Sequence, residues 1–507
     1  MTFLLQNKLL IYILPFILGL ITSFSLPPYS FFFINFFTLP FLLFYLISNK
    51  HLGKLSSFSI GWMFGFGYFI SNLYWITNSL TFEESFKPLI PFALILVPLF
   101  LGLFYGLAAL VSFFIGLKKN FSSIIIFSTI LSLFEYLRSF ILGGFPWNLI
   151  IFSLTDYLSL IQILSFIGTY SLNLIFITLC LIPTIIFFKY PNKIKIFYLS
   201  FIFLIMITNF IFGNLIIKNY EKIEKTSLNT LIKVISPKID IKRFLQDVNP
   251  EEILFDLIKT SKPDKKKETI FIFPEGVLSN IYLKDLKKYN YLFIENFSSK
   301  HKIILGINSY KDSKIFNSLV VIDNNKNILS KYDKNKLVPF GEFLPFEELL
   351  SNFGFKKITQ GYKSFSRSNE RNIVTVNSTS FLPLICYEII FSGQLNKSNG
   401  EYDFILNISE DGWFGNSIGP VQHFSHSIFR SIEEGKDVLR VANNGISAHV
   451  SSTGIIKNKL NTTEKGSIEI NTISKAFPTL FSVFGNKIFF CLVFIYISLI
   501  FFLKKFK

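Results

Sequence analysis

Cysteine is scarce in this chain of 507 residues: there are three, alongside three methionines, four tryptophans and five histidines. So few thiols exclude a disulfide-stapled fold. His423, His426 and His449 stand at no recognisable ligand spacing with Cys386, so neither a metal nor another cofactor is expected. Charge is also thin, at 16% of residues, and uneven: 50 Lys+Arg against 33 Asp+Glu give a net +17. The bulk of the chain is apolar instead. Half of it is hydrophobic, 64 residues are Phe, and the mean hydropathy is +0.47. That composition excludes an ordinary soluble enzyme, and equally a disordered or collagen-like chain. No internal repeat or low-complexity tract is present. No small-residue cleavage site follows the first apolar run, which continues into Ser25-Leu26-Pro27-Pro28-Tyr29 and reads as a retained helix ending in a turn.

A bilayer core of roughly 30 Å takes about 20 helical residues. About eight runs meet or approach that length: 8–25, 30–48, 56–79, 88–117, 122–141, 158–188, 195–217 and 487–503. Between the last two, Lys, Asp, Glu and Asn become frequent and the apolar runs shorten. The chain therefore divides into a transmembrane domain at 1–217, an extramembrane domain at 218–486, and a C-terminal helix with its tail at 487–507. Lys50, His51 and Lys54, then Lys118 and Lys119, then Lys189, Lys193 and Lys195, and finally Lys504, Lys505 and Lys507 occupy alternate connections and the tail. The remaining short loops carry no charge or a mixture (Glu83, Glu84, Lys87). The positive-inside rule puts both termini in the cytoplasm, and seven crossings put 218–486 on the outer face of a bacterial membrane. Part of the positive charge is thereby topological, and no nucleic-acid partner is expected.

The extramembrane stretch is long enough for one domain with a large core. Leu231–Ile235, Thr269–Phe273, Lys302–Ile307, Ser318–Ile322, Leu382–Ile385, Asp403–Ile408 and Ile446–Ser451 read as buried strands. Helices are expected near 250–260, 281–299 and 421–440, and Lys262–Lys267 as a solvated loop. The mixture predicts an α/β or layered α-β-β-α domain.

Three residues there could carry chemistry. Cys386, the only cysteine of the domain, ends an apolar strand where its side chain can face a cleft. Glu275 ends the run Ile270–Phe273 within Pro274-Glu275-Gly276; Pro and Gly stop a strand there. A carboxylate at the mouth of a buried strand is partly desolvated, which favours its use as a base. Lys334 precedes the unusually apolar Leu337-Val-Pro-Phe-Gly-Glu-Phe-Leu-Pro345. The three form a coherent set: a thiolate to attack an acyl carbonyl, a carboxylate to take the thiol proton, an ammonium to hold the oxyanion. The backbone N–H of Tyr387 could add a second oxyanion donor. Spacing alone does not bring them together.

These strings resemble a known family. Pro274-Glu275, Lys334 within Tyr-x-Lys-x-x-Leu-Val-Pro-Phe-Gly-Glu, and Cys386-Tyr387-Glu388 are similar to the Glu-Lys-Cys triad of the nitrilase superfamily, and specifically to the apolipoprotein N-acyltransferases. The likeness extends to Trp413-Phe-Gly415…Gly419-Pro420-Val-Gln422-His423, to Arg440-Val-Ala-Asn443-Asn444-Gly445, and to Gly65-Phe-Gly67, Tyr74-Trp75, Leu137-Arg138 and Gly144-Phe145-Pro146-Trp147 in the membrane half. It implies about eight transmembrane helices carrying a nitrilase-like α-β-β-α sandwich. It also implies a monomeric inner-membrane enzyme that needs no cofactor. By that resemblance Cys386 takes a fatty acyl chain from a phospholipid as a thioester, with Glu275 as base and Lys334 on the oxyanion. The chain then passes to the α-amino group of the S-diacylglyceryl cysteine of an apolipoprotein. Glu342, Tyr387, Glu388 and Trp413 match supporting positions. Arg138, three residues after Glu135 at the end of the fifth run, pairs with that carboxylate or meets a phospholipid phosphate. Two departures stand out: Glu410-Asp411-Gly412 where relatives often have Asn-Asp, and Phe244 or Leu245 where a Trp is expected. A membrane-anchored amidase and a transporter with an outer binding domain are the alternatives, although no paired broken helices point to transport.

Overall fold

The computed structural model describes residues 10–222, 225–246, 248–352, 357, 364–395, 400–475 and 478–505. Lys507 of the tail and the start of the first run lie outside the described residues. The chain forms two compact units, one of residues 1–77, 85–218 and 484–507, the other of 78–84 and 219–483.

In the first unit every apolar run is helical: Leu10–Ser23, Asn35–Ser48, Lys54–Leu73, Ile90–Ile115, Phe121–Arg138, Leu164–Leu181, Asn192–Glu221 and Lys487–Lys505. Among the described residues, five helices are long and apolar enough to cross a membrane, while the first two are shorter. The helix Lys54–Leu73 gives up hydropathy for contact. A Cβ on its Gly67 would lie 2.1 Å from the Phe16 carbonyl oxygen, and one on Gly61 2.5 Å from that of Tyr105. Small residues here let helix backbones touch, as membrane packing favours. Lys50 Nζ donates to the Leu117 carbonyl (3.3 Å), Lys504 Nζ to that of Ile115 (2.8 Å), and the Phe121 N–H to the Tyr190 hydroxyl (3.2 Å). These contacts gather the lysine-bearing connections and the tail at one end of the unit.

The second unit is built on β1 (Lys225–Ser236), β2 (Thr269–Ile272), β3 (Leu278–Tyr282), β4 (His301–Lys311), β5 (Lys314–Asp323), β6 (Ile328–Asp333), β7 (Val374–Val376), β8 (Thr379–Ile385), β9 (Phe404–Glu410), β10 (Asp437–Asn443), β11 (Ser447–Val450), β12 (Ile456–Leu460) and β13 (Gly466–Ser474). One sheet runs β13-β1-β2-β4-β5-β6 with β3 beside β4; the other runs β12-β11-β10-β9-β8-β7. The central pairs β1–β2, β2–β4, β8–β9 and β9–β10 are parallel, and the flanks are antiparallel. Parallel strands are covered on both faces, which is why β2, β9 and β10 are buried along their whole length. The sheets meet through β1–β10, β5–β8 and β6–β7, and helices Pro250–Ser261 and Gly419–Glu434 cover the outer faces. The first sheet and its helices bury Ile253, Leu257, Phe271, Phe273, Phe293 and Phe297 in one core. The layering is α-β-β-α, as expected.

Each of the seven expected strands lies on or within a strand of the structure. Two expected helices need correction. The helix near 421–440 ends at Glu434, where Gly435 takes a left-handed cap (φ 65°), and 437–443 is the buried strand β10. The stretch 281–299 begins as the end of β3, tightens into a 3₁₀ turn at Leu283–Tyr289, and is α-helical only over Asn290–Asn296.

Candidate active site

Parallel strands offer a cleft at their carboxyl ends. Glu275 follows β2 by way of Phe273 and Pro274, and Cys386 directly follows β8. Lys334 directly follows β6, and Asp411 follows β9. Glu275, Lys334, Glu342 and Cys386 are all buried, at 8%, 1%, 5% and 8% exposure. Lys334 Nζ lies 3.2 Å from Glu275 Oε1 and 3.0 Å from Glu342 Oε1. Asn317 Nδ2 donates to the same two oxygens, at 2.7 and 2.8 Å. The backbone N–H of Glu410 donates to Glu275 Oε2 (2.9 Å), and that of Val338 to Glu342 Oε2 (2.9 Å). One ammonium is thus held between two carboxylates. Burial alone would lower the Lys334 pKa, but Glu275 and Glu342 outweigh it and push it well above the usual lysine value. The group stays charged at any physiological pH.

Cys386 sits in the left-handed backbone region, at φ 51°. A non-glycine residue held there is strained, and such strain concentrates at functional sites. Its thiol feels both Glu275 and Lys334. Burial pushes its pKa up, the Glu275 carboxylate adds to that, and Lys334 opposes. The resting form is the thiol, and a neighbouring base is needed to ionise it.

Glu388 has a different place. It is fully buried, and its carboxylate accepts from the Tyr332 hydroxyl, the Arg371 guanidinium and the backbone N–H groups of Asn335, Lys336 and Ile385. It ties the end of β8 to the loop that carries Lys334. Burial raises its pKa, yet Arg371 and these donors bring it below the ordinary carboxylate value. Tyr387 is buried with its ring edge-on to Phe391 (5.3 Å). Trp413 is half-buried between Phe244 (5.1 Å) and Phe82 (5.8 Å). The segment 78–84 belongs to this unit, and Asn78 Nδ2 donates to the Phe414 carbonyl at 2.6 Å.

In the other unit Arg138 is 1% exposed and donates to the carbonyls of Phe145 (2.5 Å) and Asn148 (3.4 Å). Glu135 accepts from Tyr105 (3.0 Å) and Asn173 (2.5 Å). Arg138 thereby acts as the clasp of the 145–148 turn.

Sequence reasoning missed the groups behind the site. Arg243, one residue before Phe244, is buried; it pairs with Glu410 and donates to the Gly276 carbonyl (3.0 and 3.2 Å). The Glu410 departure is therefore compensated by an arginine that also fixes the turn after Glu275. Asn317, Asn407, Asp411 and Arg440 were likewise unforeseen. The available signal was the string Arg440-Val-Ala-Asn443-Asn444, noted but given no role.

The residues 18–182 match the family model for the apolipoprotein N-acyltransferase N-terminal domain, and 272–476 match the carbon-nitrogen hydrolase model. An apolipoprotein N-acyltransferase of Rickettsia typhi is 32% identical over 94% of this chain and 94% of its own length. The chain belongs to that family. The namesake of Rickettsia prowazekii is also 32% identical, over 93% of this chain and 94% of its own. That of Rhizobium rhizogenes is 29% identical over 90% and 89%. Among solved structures, a carbon-nitrogen hydrolase superfamily protein from Xanthomonas campestris covers 49% of this chain and 91% of its own, at 14% identity and a TM-score of 0.35. As an apolipoprotein N-acyltransferase family member the chain is an acyltransferase of lipoprotein biosynthesis with a carbon-nitrogen hydrolase fold.

Proposed function

We propose that this enzyme moves a fatty acyl chain from a membrane phospholipid to the α-amino group of the S-diacylglyceryl cysteine of apolipoproteins, through a thioester on Cys386. The observation that carries the reading is the buried Glu275–Lys334–Glu342 cluster beside a strained cysteine. Glu275 takes the thiol proton, and the thiolate attacks the ester carbonyl. The Lys334 ammonium and the Tyr387 N–H hold the oxyanion, and Glu275 returns the proton to the departing lysophospholipid oxygen. The lipoprotein amine then attacks the thioester, gives its proton to Glu275, and the thiolate leaves. Glu342 shares the charge of Lys334 and keeps its ammonium aimed. Trp413, with Phe244 and Phe82, offers an apolar wall suited to an acyl chain. The enzyme works as a monomer in the inner membrane, with both termini cytoplasmic and residues 218–486 on the periplasmic face. The gathering of lysine-bearing connections at one end of the helical unit supports that orientation.

Mass spectrometry of the purified protein mixed with phospholipid tests the reaction. A fatty-acyl mass on the Cys386 peptide is expected, discharged by a diacylglyceryl peptide and not by water. An adduct discharged by water alone would point to a hydrolase, and no adduct would overturn the reading.

A further inference from the structure

A second buried polar cluster lies behind the nucleophile, and the reaction above leaves it unused. The parallel register of β8 and β9 pairs Leu384 with Asn407 and Ile385 with Ile408, which brings Ser409 abreast of Cys386. The register of β9 and β10 sets Asn407 opposite Arg440. Asn407 Nδ2 donates to the carbonyls of Leu384 (3.3 Å) and Cys386 (3.4 Å), and its Oδ1 accepts from Arg440. Arg440 Nη2 reaches Asp411 Oδ2 at 2.8 Å and Oδ1 at 3.0 Å. Asp411 Oδ1 also accepts from the Ser409 hydroxyl (2.7 Å) and meets His423 Nδ1 (2.9 Å). Asn407, Ser409, Asp411, His423 and Arg440 are all at 0% exposure. A buried ionic network of this kind gains little stability over well-packed apolar side chains. Its position, wrapped around one strained residue, suggests a use.

Ser409 is the member that stands between the two sides, one residue past the Ile385–Ile408 pair and bonded to Asp411. A serine hydroxyl has one hydrogen to give. In the resting enzyme it goes to Asp411, which also accepts from Arg440 and lies against His423 Nδ1. The same hydroxyl acts on the Cys386 thiol, where it opposes the rise that burial and Glu275 impose on the thiol's pKa.

We propose that Ser409 is the thiolate donor of this site: its hydroxyl turns from Asp411 to the Cys386 sulfur when Glu275 removes the thiol proton. No atom is gained or lost. The S–H proton moves to Glu275, and the electron pair left on sulfur accepts the Ser409 hydrogen. Asp411, clamped by Arg440 and His423, is the positioning residue that keeps the hydroxyl between the two acceptors. The charged groups facing the sulfur are Glu275 beyond β2, Lys334 beyond β6 with Glu342 on its far side, and Asp411 beyond β9. His423 and Arg440 stand behind Asp411. Ser409 thus supplies the neutral donor beside a sulfur whose nearest cation is already shared by two carboxylates.

The inference rests on Cys386 being the nucleophile, and its test needs no lipid. The full-length protein is treated with iodoacetamide over about pH 6 to 11, and alkylation of the Cys386 peptide is followed by mass. Ser409→Ala is expected to move the alkylation midpoint up by about one pH unit, a roughly tenfold slower rate on the rising limb. Ser409→Thr keeps the hydroxyl and should hold the native midpoint. Ser409→Cys, with a weaker donor, should fall between and serves if the alanine variant does not fold. A native midpoint in the alanine or cysteine variant overturns the inference. So does an equal shift in alanine and threonine variants, because packing would then be the cause. A missing acyl adduct on Cys386 would sink the acyl-transfer reading while leaving this titration to be judged by itself.

Discussion

Glu388 shows how a buried residue two positions from the proposed nucleophile can hold a site together. Its carboxylate is fully buried and joined to Arg371, Tyr332 and three backbone N–H groups. Breaking a buried ion pair from one side leaves the other charge stranded, at a cost of about 3–5 kcal/mol. Glu388→Gln should therefore lower the apparent melting temperature of the purified protein by several degrees, and acyl-enzyme formation should fall with the folded fraction. A variant that melts like the native protein yet forms no acyl-enzyme would place Glu388 in the chemistry instead. The three residues proposed for catalysis were legible because each sits at a local signal: Glu275 where a strand stops at Pro-Glu-Gly, Cys386 as the lone cysteine at a strand end, and Lys334 ahead of an unusually apolar loop. The groups that hold them were not. Arg243 and Glu410 stand 167 positions apart, and Asn317 and Glu275 42 apart. Only strand order brings such pairs together, and one sequence does not reveal strand order.

The helix Gly419–Glu434 carries the same lesson at the scale of an element. Its start is expected near 421, close to the observed Gly419, but its end was not recognised at Gly435, so the strand Asp437–Asn443 was absorbed into it. The polar edge strands β12 and β13, with Lys, Asn and Glu between their apolar residues, gave too faint an alternation to be seen. The true end of the helix has a consequence for pH. Glu434 is buried in its last turn, where burial and the adjacent Glu433 carboxylate push its pKa up to about 7; Tyr402 donates to it at 3.1 Å. A carboxyl group with a raised folded pKa binds more protons folded than unfolded. Its favourable term is therefore present below the unfolded value, near 4.5, and is lost as pH rises toward 7. Glu434→Gln should flatten the fall in apparent melting temperature between those pH values. An unchanged slope in the variant would show that the carboxyl group does not titrate there.

At the scale of the whole molecule the scarcity of charge becomes an ordering principle. The apolar half of the composition supplies the helices of one unit, and the lysines between them lie where Lys50 meets Leu117 and Lys504 meets Ile115. Moving charged loops across a bilayer core is costly, and that cost is the basis for the proposal that this end stays with the cytoplasm. The exposed side chains of Lys119, in a lysine-bearing connection, and Lys265, in the second unit, allow a direct check. Single-cysteine variants Lys119→Cys and Lys265→Cys, each made in a chain whose native cysteines are replaced, can be labelled in intact cells with a maleimide that does not cross the inner membrane. Lys265→Cys should label in intact cells, and Lys119→Cys only after the membrane is opened. The reverse pattern would turn the protein over and place the thiol chemistry in the cytoplasm, away from the amino termini of exported lipoproteins. The orientation and the proposed acceptor therefore stand together.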